Sequence, residues 1–360
     1  MEAAYETYLQ NVVSKIRPNS EEYQRANIAH EAVNRFLSRN KDLIQNHGIN
    51  YRGTKIYGSY TTETAITSSD LDLTLEIDDN ENPIDIRELC QELRLDLNQL
   101  NRQERESLLF NNCPLTRIVT FPNYTGGQGS LLRLHNLQLT SHPSLKPLRV
   151  DISFHKKSNL LSGIYVGNYT KNYPKCQHLS ILAKAWAYRK TKRLRLPTFA
   201  YYILVINYLQ HAYGMPKLPF VQQNNGQDWP EWSQADKVGL YELLQGYFLY
   251  YGHQFQTDRF NRIIDICSDI SQGNLNVATN QRTWIEIIDP TTKCSVVNYA
   301  RGYPLRFRVF NAQMKEGLDL IQSGKGIFKG FDFAYSRASG FKSKASEERV
   351  ETSTMDKSLS

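Results

Sequence analysis

Long apolar runs are missing from this chain. No stretch approaches the ~18 consecutive apolar residues that a membrane-spanning helix needs, so no membrane role is expected. The opening Met1-Glu2-Ala3-Ala4-Tyr5-Glu6 lacks the basic and apolar regions of a secretory signal, and its early acids argue against a mitochondrial presequence. Cysteine is scarce too. Cys90, Cys113, Cys176, Cys267 and Cys294 are scattered and odd in number. None forms Cys-x-x-Cys, so neither a zinc site nor a disulfide framework is supported, and reduced intracellular thiols are expected. No internal repeat is visible. Acidic residues are in the minority: 43 Lys and Arg against 36 Asp and Glu leave a net charge of +7. That balance favours a polyanionic partner.

What the chain does have is enough apolar residue, 40%, for real cores, and at 360 residues it is expected to form two domains. The first 46 residues read as helical, with Ser20 as the expected N-cap before the apolar series Ala26, Ile28, Ala29, Ala32, Val33, Phe36 and Leu43. Short β-like runs cover residues 49–57 and 71–77, and residues 85–109 look helical. Residues 131–139 alternate, Leu132, Leu134, Asn136 and Gln138 on one side against Arg133, His135, Leu137 and Leu139 on the other. A Gly-rich turn or loop, 123–130, precedes them. After Lys175 the pattern turns helical: residues 177–191, 199–209, 235–251 ending at Gly252 as a C′ residue, 258–270, and 304–321. Beyond Phe333 Ser, Lys and Glu dominate, which predicts a disordered tail. The expected organisation is a helical lead-in over 1–30, a mixed α/β unit over 31–160, a helical unit over 161–330 and a tail over 331–360, with a ligand cleft between the two units.

Chemistry concentrates on three carboxylates. Asp70 and Asp72 flank Leu71; Asp151 sits in Val150-Asp151-Ile152-Ser153-Phe154. On a strand, Asp-x-Asp puts both side chains on one face, and a third Asp on a neighbouring strand joins them. Three such charges repel unless a divalent cation sits among them. Mg²⁺, with Mn²⁺ as substitute, is the expected guest, its oxygen ligands shared between carboxylates and substrate phosphates. Two such ions stabilise the attacking and leaving oxygens of a phosphoryl displacement. Gly58-Ser59 stands eleven residues before Asp70. The Gly permits a tight turn and close approach of a ligand, and Ser59 offers a hydroxyl and an N–H to phosphate. Thr61 to Thr64 read as the next turn of helix.

This pattern of Gly-Ser, Asp-x-Asp and a distant third Asp resembles the nucleotidyltransferases related to DNA polymerase β. Later segments resemble, in order, a narrower group: the RNA 3′-terminal nucleotidyltransferases of the cytoplasmic poly(A) and poly(U) polymerase type. His178 to Ala187 is similar to their "LvKxWA" helix, and Pro197 to Gln210 to their "SSYxxxLMvixfLQ" helix. Leu243 to Gly252 is similar to "LLxxFFxYYG", and Ile288-Asp289-Pro290 followed by Asn298 to Arg301 to "EDPxxxxxNvxR". The likeness spans about residues 25 to 325. It implies an α+β chain, a polymerase-β-like catalytic domain plus an α-rich companion.

The resemblance also implies roles. Asp70 and Asp72 would hold Mg²⁺, and Asp151 the ion facing the RNA 3′-hydroxyl. Gly58, Ser59 and Lys184 would contact the triphosphate; the plain alternative for Lys184 is a solvated helix lysine. Thr198 falls at a phosphate-touching position. Phe199 falls at a base-stacking one, against the alternative of a core aromatic. Asn298 and Arg301 would line the base side of the site or brace it. Several positions depart from the family. Tyr188 replaces a second lysine, Ser162 stands near the asparagine that reads the ribose, Ile288 replaces a glutamate, and Val297 occupies a position where uridylyl-adding members carry His.

The expected function is template-independent addition of ribonucleotides, ATP favoured, to an RNA 3′ end. Terminal uridylyl or cytidylyl transfer, oligonucleotide synthesis and a catalytically silent RNA-binding scaffold are the alternatives. RNA and NTP are the expected substrates, with a partner protein supplying RNA specificity. A monomer in the cytoplasm is expected, the nucleus being the alternative compartment.

Overall fold

The computed structural model describes residues 2–67, 69–77, 86–108, 110–112, 116–122, 128–139, 148–189, 196–218, 229–256, 263–267, 286–291, 293, 296, 307–324 and 327–328. The chain begins with three helices, α1 (Glu2–Ile16), α2 (Ser20–Arg39) and α3 (Lys41–Asn46). Asn19, not Ser20, caps α2: its side chain takes the Glu22 N–H, and the Glu22 carboxylate returns to the Asn19 N–H at 3.2 Å. This reciprocal box satisfies two donors that a helix start leaves unpaired.

The next elements are β1 (Thr54–Tyr57), β2 (Leu71–Ile77), α4 (Ile86–Gln99), α5 (Arg102–Ser107), β3 (Phe110–Asn112), β4 (Thr116–Pro122), β5 (Gln128–Leu139) and β6 (Leu148–Lys156). They build one mixed six-stranded sheet in the order β1-β2-β6-β5-β3, with β4 also on β5. β2 and β6 run parallel; the other pairs are antiparallel. One sheet face carries Leu71, Leu73 and Leu75 of β2, Leu132 and Leu134 of β5, and Leu148, Val150 and Ile152 of β6. All are buried against α2 and α4. The expected alternation of residues 131–139 breaks after Leu134. A register shift against β6 brings Leu137 opposite Leu148, and Leu137 is buried with the others.

A second core holds α6 (Lys157–Asn172), α7 (Pro174–Tyr188), α8 (Thr198–Tyr213), α9 (Leu240–Gly252) and α10 (Phe307–Gln322). Helix α1 belongs here: Leu9, Val12, Val13 and Ile16 pack into it, and Glu6 Oε2 takes the Tyr241 N–H at 2.7 Å. The core therefore changes between α1 and α2, while residue 30 lies within the continuous α2. Ile263–Ile264 form β7, parallel to β8 (Glu286–Ile287), where a helix was expected. Their β-branched side chains suit a strand. Gly252 is the last residue of α9 rather than C′; its bare Cα faces the α10 backbone at Lys315. The tail 331–360 lies outside the described residues. No described helix is long and apolar enough to cross a membrane.

Candidate active site

Strand β1 ends in a turn that begins at Gly58, with φ +66°. A Cβ there would collide with Asp72 Oδ2, so glycine is needed both for the left-handed backbone and for the close approach to the carboxylate. The turn makes one α-type hydrogen bond but is not continued as a helix. Thr62 N–H donates to Gly58 O at 3.1 Å, Thr64 N–H to Ser59 O at 2.9 Å, and the Thr62 and Thr64 hydroxyls bond at 2.7 Å. Glu63 sits at φ +54°, a strained value for a side-chain-bearing residue. Two helices grip this turn. Thr170 of α6 donates to Thr62 O at 2.6 Å, and Gln177 of α7 donates to the Glu63 carboxylate at 3.1 Å.

Lys184 of α7 reaches the same segment. Its ammonium donates to Ser69 Oγ at 2.8 Å and to Thr64 O at 3.3 Å, and the residue is 2% exposed. It is not a solvated helix lysine. Ser69 Oγ in turn accepts the Ile66 N–H at 2.9 Å. The lysine charge is thus carried to the start of β2, beside Asp72, on which it acts electrostatically.

The leucines of β2, β5 and β6 turn one sheet face inward. Period two therefore sends Asp72, Arg133, Arg149, Asp151 and Ser153 to the other, with Asp70 two residues ahead of Asp72. Asp72 and Asp151 are direct partners in the parallel register of β2 and β6. The Asp72 carboxyl is pushed well above the usual carboxylate range, first by desolvation, then by the charges of Asp70 and Asp151. Lys184 and Arg133 oppose that rise. Asp70 is also raised, chiefly by desolvation, against the neighbouring Arg149. Tyr57, the partner of Asp72 on β1, has its phenol raised by burial and by the Asp72 charge, and accepts from Ser153 Oγ at 3.0 Å.

Two arginines joined the site that sequence reading did not single out. Arg149 Nη2 pairs with Asp70 Oδ2. Arg133 binds Asp151 bidentately, Nε to Oδ1 at 2.6 Å and Nη2 to Oδ2. The Arg149 position was readable, since it lies two residues before Asp151 on the same face. Arg133 needed the β5–β6 register, which puts it directly opposite Asp151.

Of the remaining expected residues, Ser162, Thr198 and Phe199 are among those described. Ser162 on α6 is buried, and its hydroxyl donates to Asp289 Oδ1 at 2.5 Å and bonds Thr291 Oγ1. It braces the Asp289-Pro290 turn. Thr198 and Phe199 open α8 half-buried, and Phe199 packs against the helical core. Val297, Asn298 and Arg301 lie outside the described residues.

Hard oxygen donors with mutually repelling charges are the ligand set that Mg²⁺ or Mn²⁺ takes. Asp72 and Asp151 supply them from one sheet face, with Asp70 just ahead of the strand, and Gly58 spares Asp72 Oδ2 the Cβ that another residue would press against it. Among the described residues no three acidic, thiol or imidazole side chains already converge as a ready-made metal cluster. Asp70 and Asp151 are each engaged by a guanidinium. In donor chemistry the residues fit a divalent ion, with Arg133 and Arg149 now holding two of the carboxylates that it would take.

This architecture, a small mixed sheet carrying the carboxylates with an α-rich companion, is the polymerase-β-like nucleotidyltransferase fold. Among solved structures it is shared with Cid1 poly(U) polymerase. A mutant of that protein bound to MgATP matches with TM-score 0.62 at 16% identity, over 93% of this chain and 98% of that one. The structure of a cytoplasmic RNA terminal U-transferase matches with TM-score 0.59 at 15% identity, over 93% and 98% of the two chains. Cid1 in complex with its short product ApU gives 0.60 at 15% identity, over 89% and 92%. At these identities the shared property is the fold. No protein-family model and no curated protein sequence matches the chain.

Proposed function

We propose that this protein is a nucleotidyltransferase that extends RNA 3′ ends without a template. The observation that carries the reading is the pairing of Asp72 with Asp151 on one sheet face, with Asp70 electrostatically coupled to both, beside the Gly58-Ser59 turn and near Lys184. A divalent ion bound there supplies Lewis-acid activation and neutralises phosphate charge. In the reaction the 3′-hydroxyl oxygen bonds to the α-phosphorus of an NTP, the α–β P–O bond breaks, and pyrophosphate leaves. Asp151 takes the hydroxyl proton. Asp70 and Asp72 orient the nucleotide, Ser59 and its turn hold phosphate oxygens, and Lys184 adds positive charge behind them. The Cid1 relatives are described with MgATP, MgGTP, a UTP analogue and ApU, which is consistent with NTP and RNA as substrates here.

ATP is the proposed substrate. Val297 stands where uridylyl-adding members carry His, and Phe199 offers a stacking face that favours a purine. Asn298 and Arg301 are assigned to the base side. UTP is the second reading, because the solved relatives include a poly(U) polymerase and a U-transferase. Selectivity from stacking and shape alone is modest, on the order of 1–3 kcal/mol. The chain is proposed to act as a monomer in the cytoplasm, with RNA choice supplied by a partner protein.

Extension of a short labelled RNA with Mg²⁺ and each NTP separately tests both levels. Extension by ATP above the others is expected. Preference for UTP would overturn the adenylyl reading alone. Asp151→Ala is expected to lower the extension rate by on the order of 10²–10³ or more while the fold survives. A near wild-type rate in that variant would remove the carboxylate assignment.

A further inference from the structure

Arg133 stands in the way of the ion that the site is built to receive. Its guanidinium occupies both oxygens of Asp151, the geometry of a strong charge-assisted pair. A divalent ion facing the 3′-hydroxyl needs an oxygen of that same carboxylate. The guanidinium and the ion therefore compete for one acid. The two partners are unequally placed: the Asp151 side chain is 7% exposed, while Arg133 is 26% exposed. The carboxylate is locked in mid-sheet on β6, and the arginine has solvent to swing into from β5. The Arg133 charge also acts on Asp70 and Asp72, so it offsets part of the repulsion within the acidic trio. Removal of the guanidinium without a replacement would leave a buried carboxylate unpaired, an arrangement that is costly.

Resting on the nucleotidyl-transfer reading above, we propose that Arg133 is a positioning residue, the resident counter-ion of Asp151. It holds the third carboxylate in place before the reaction, yields it to the divalent ion, and so sets the Mg²⁺ concentration that the enzyme needs. The exchange is one cation for another on a fixed acid, with no change in covalent structure. Arg149 on Asp70 is a separate pair, and the inference does not require it to move.

The test is Mn²⁺ binding to the full-length chain, followed by electron paramagnetic resonance without nucleotide or RNA. Arg133→Gln keeps a polar group of similar reach but no charge. It is expected to bind Mn²⁺ about tenfold more tightly than wild type, the scale on which outer-shell groups tune metal sites. Arg133→Lys keeps the charge without the bidentate fork and is expected to fall between the two. Adding Asp151→Asn to Arg133→Gln is expected to erase the gain. The Mg²⁺ concentration for half-maximal extension is expected to fall in parallel. If Arg133 serves only to shape Asp151, Arg133→Gln and Arg133→Lys will bind Mn²⁺ no better than wild type, and the inference is overturned. Should Arg133→Gln fail to fold, the Arg133→Lys titration decides alone. Mn²⁺ binding that depends on Asp70, Asp72 and Asp151 but ignores Arg133 removes this inference and leaves the nucleotidyl-transfer reading standing. Mn²⁺ binding indifferent to all three carboxylates removes both.

Discussion

At the scale of single residues, Asp72 sets activity against stability. Its carboxyl is raised by desolvation first and by Asp70 and Asp151 next. A carboxyl whose folded-state pKa exceeds its unfolded value contributes stability that is complete below the ordinary value of 3.8 and is lost as pH rises through the folded value. The Asp72 contribution to the stability of the metal-free protein is therefore expected to grow as pH falls from neutrality toward that window. Asp72→Asn removes the buried charge. It is expected to raise the melting temperature at neutral pH by a few degrees in chelator, with the gap to wild type closing as pH is lowered. The same substitution is expected to abolish extension. Melting curves across pH, with EDTA present, check the first two statements. A variant less stable than wild type at every pH would mean that Asp72 is not a strained charge.

Between elements, α9 and α10 pack through glycine. A Cβ on Gly317 would stand 2.5 Å from Phe248 Cε1, and one on Gly252 would stand 3.2 Å from the Lys315 backbone N. Phe248 is itself wedged edge-on against Trp186, with ring centroids 4.9 Å apart. Phe248 is fully buried, so the ring can yield only by repacking its neighbours. Gly317→Ala is therefore expected to destabilise the chain by about 1–3 kcal/mol, despite the better helix propensity of alanine. Chemical denaturation measures this directly. An unchanged or higher midpoint would show that the helices separate at no cost. The strands show the opposite economy: β2 and β6 need only alternate leucine-type and polar residues to present their carboxylates, and the register supplies the rest.

For the whole molecule, a net charge of +7 and a polyanionic substrate predict salt-sensitive binding. RNA affinity is expected to fall about tenfold or more between 50 and 200 mM salt, whereas NTP use, dominated by the ion and the turn at Gly58, is expected to change less. Filter binding and steady-state kinetics at matched salt separate the two; equal slopes would place the RNA contacts inside the nucleotide site. What the sequence by itself determined is local. Asp72 faces away from Leu71 and Leu73 because strand side chains alternate every two residues. Gly58-Ser59 marks a turn because only glycine takes that backbone cheaply. The helices of the second half show their apolar periodicity, and the order of motifs was enough to expect this fold. Tertiary structure decided everything that depends on register or on distant partners. Arg133 meets Asp151 only because β5 and β6 align those two positions. Lys184 is buried because α7 lies over a turn some 115 residues earlier in the chain. Ser162 turns to Asp289, 127 residues away, and not to the carboxylates. Side-chain period is written in neighbouring residues, whereas the partner of a buried charge is chosen by packing between segments that the linear pattern leaves uncoupled.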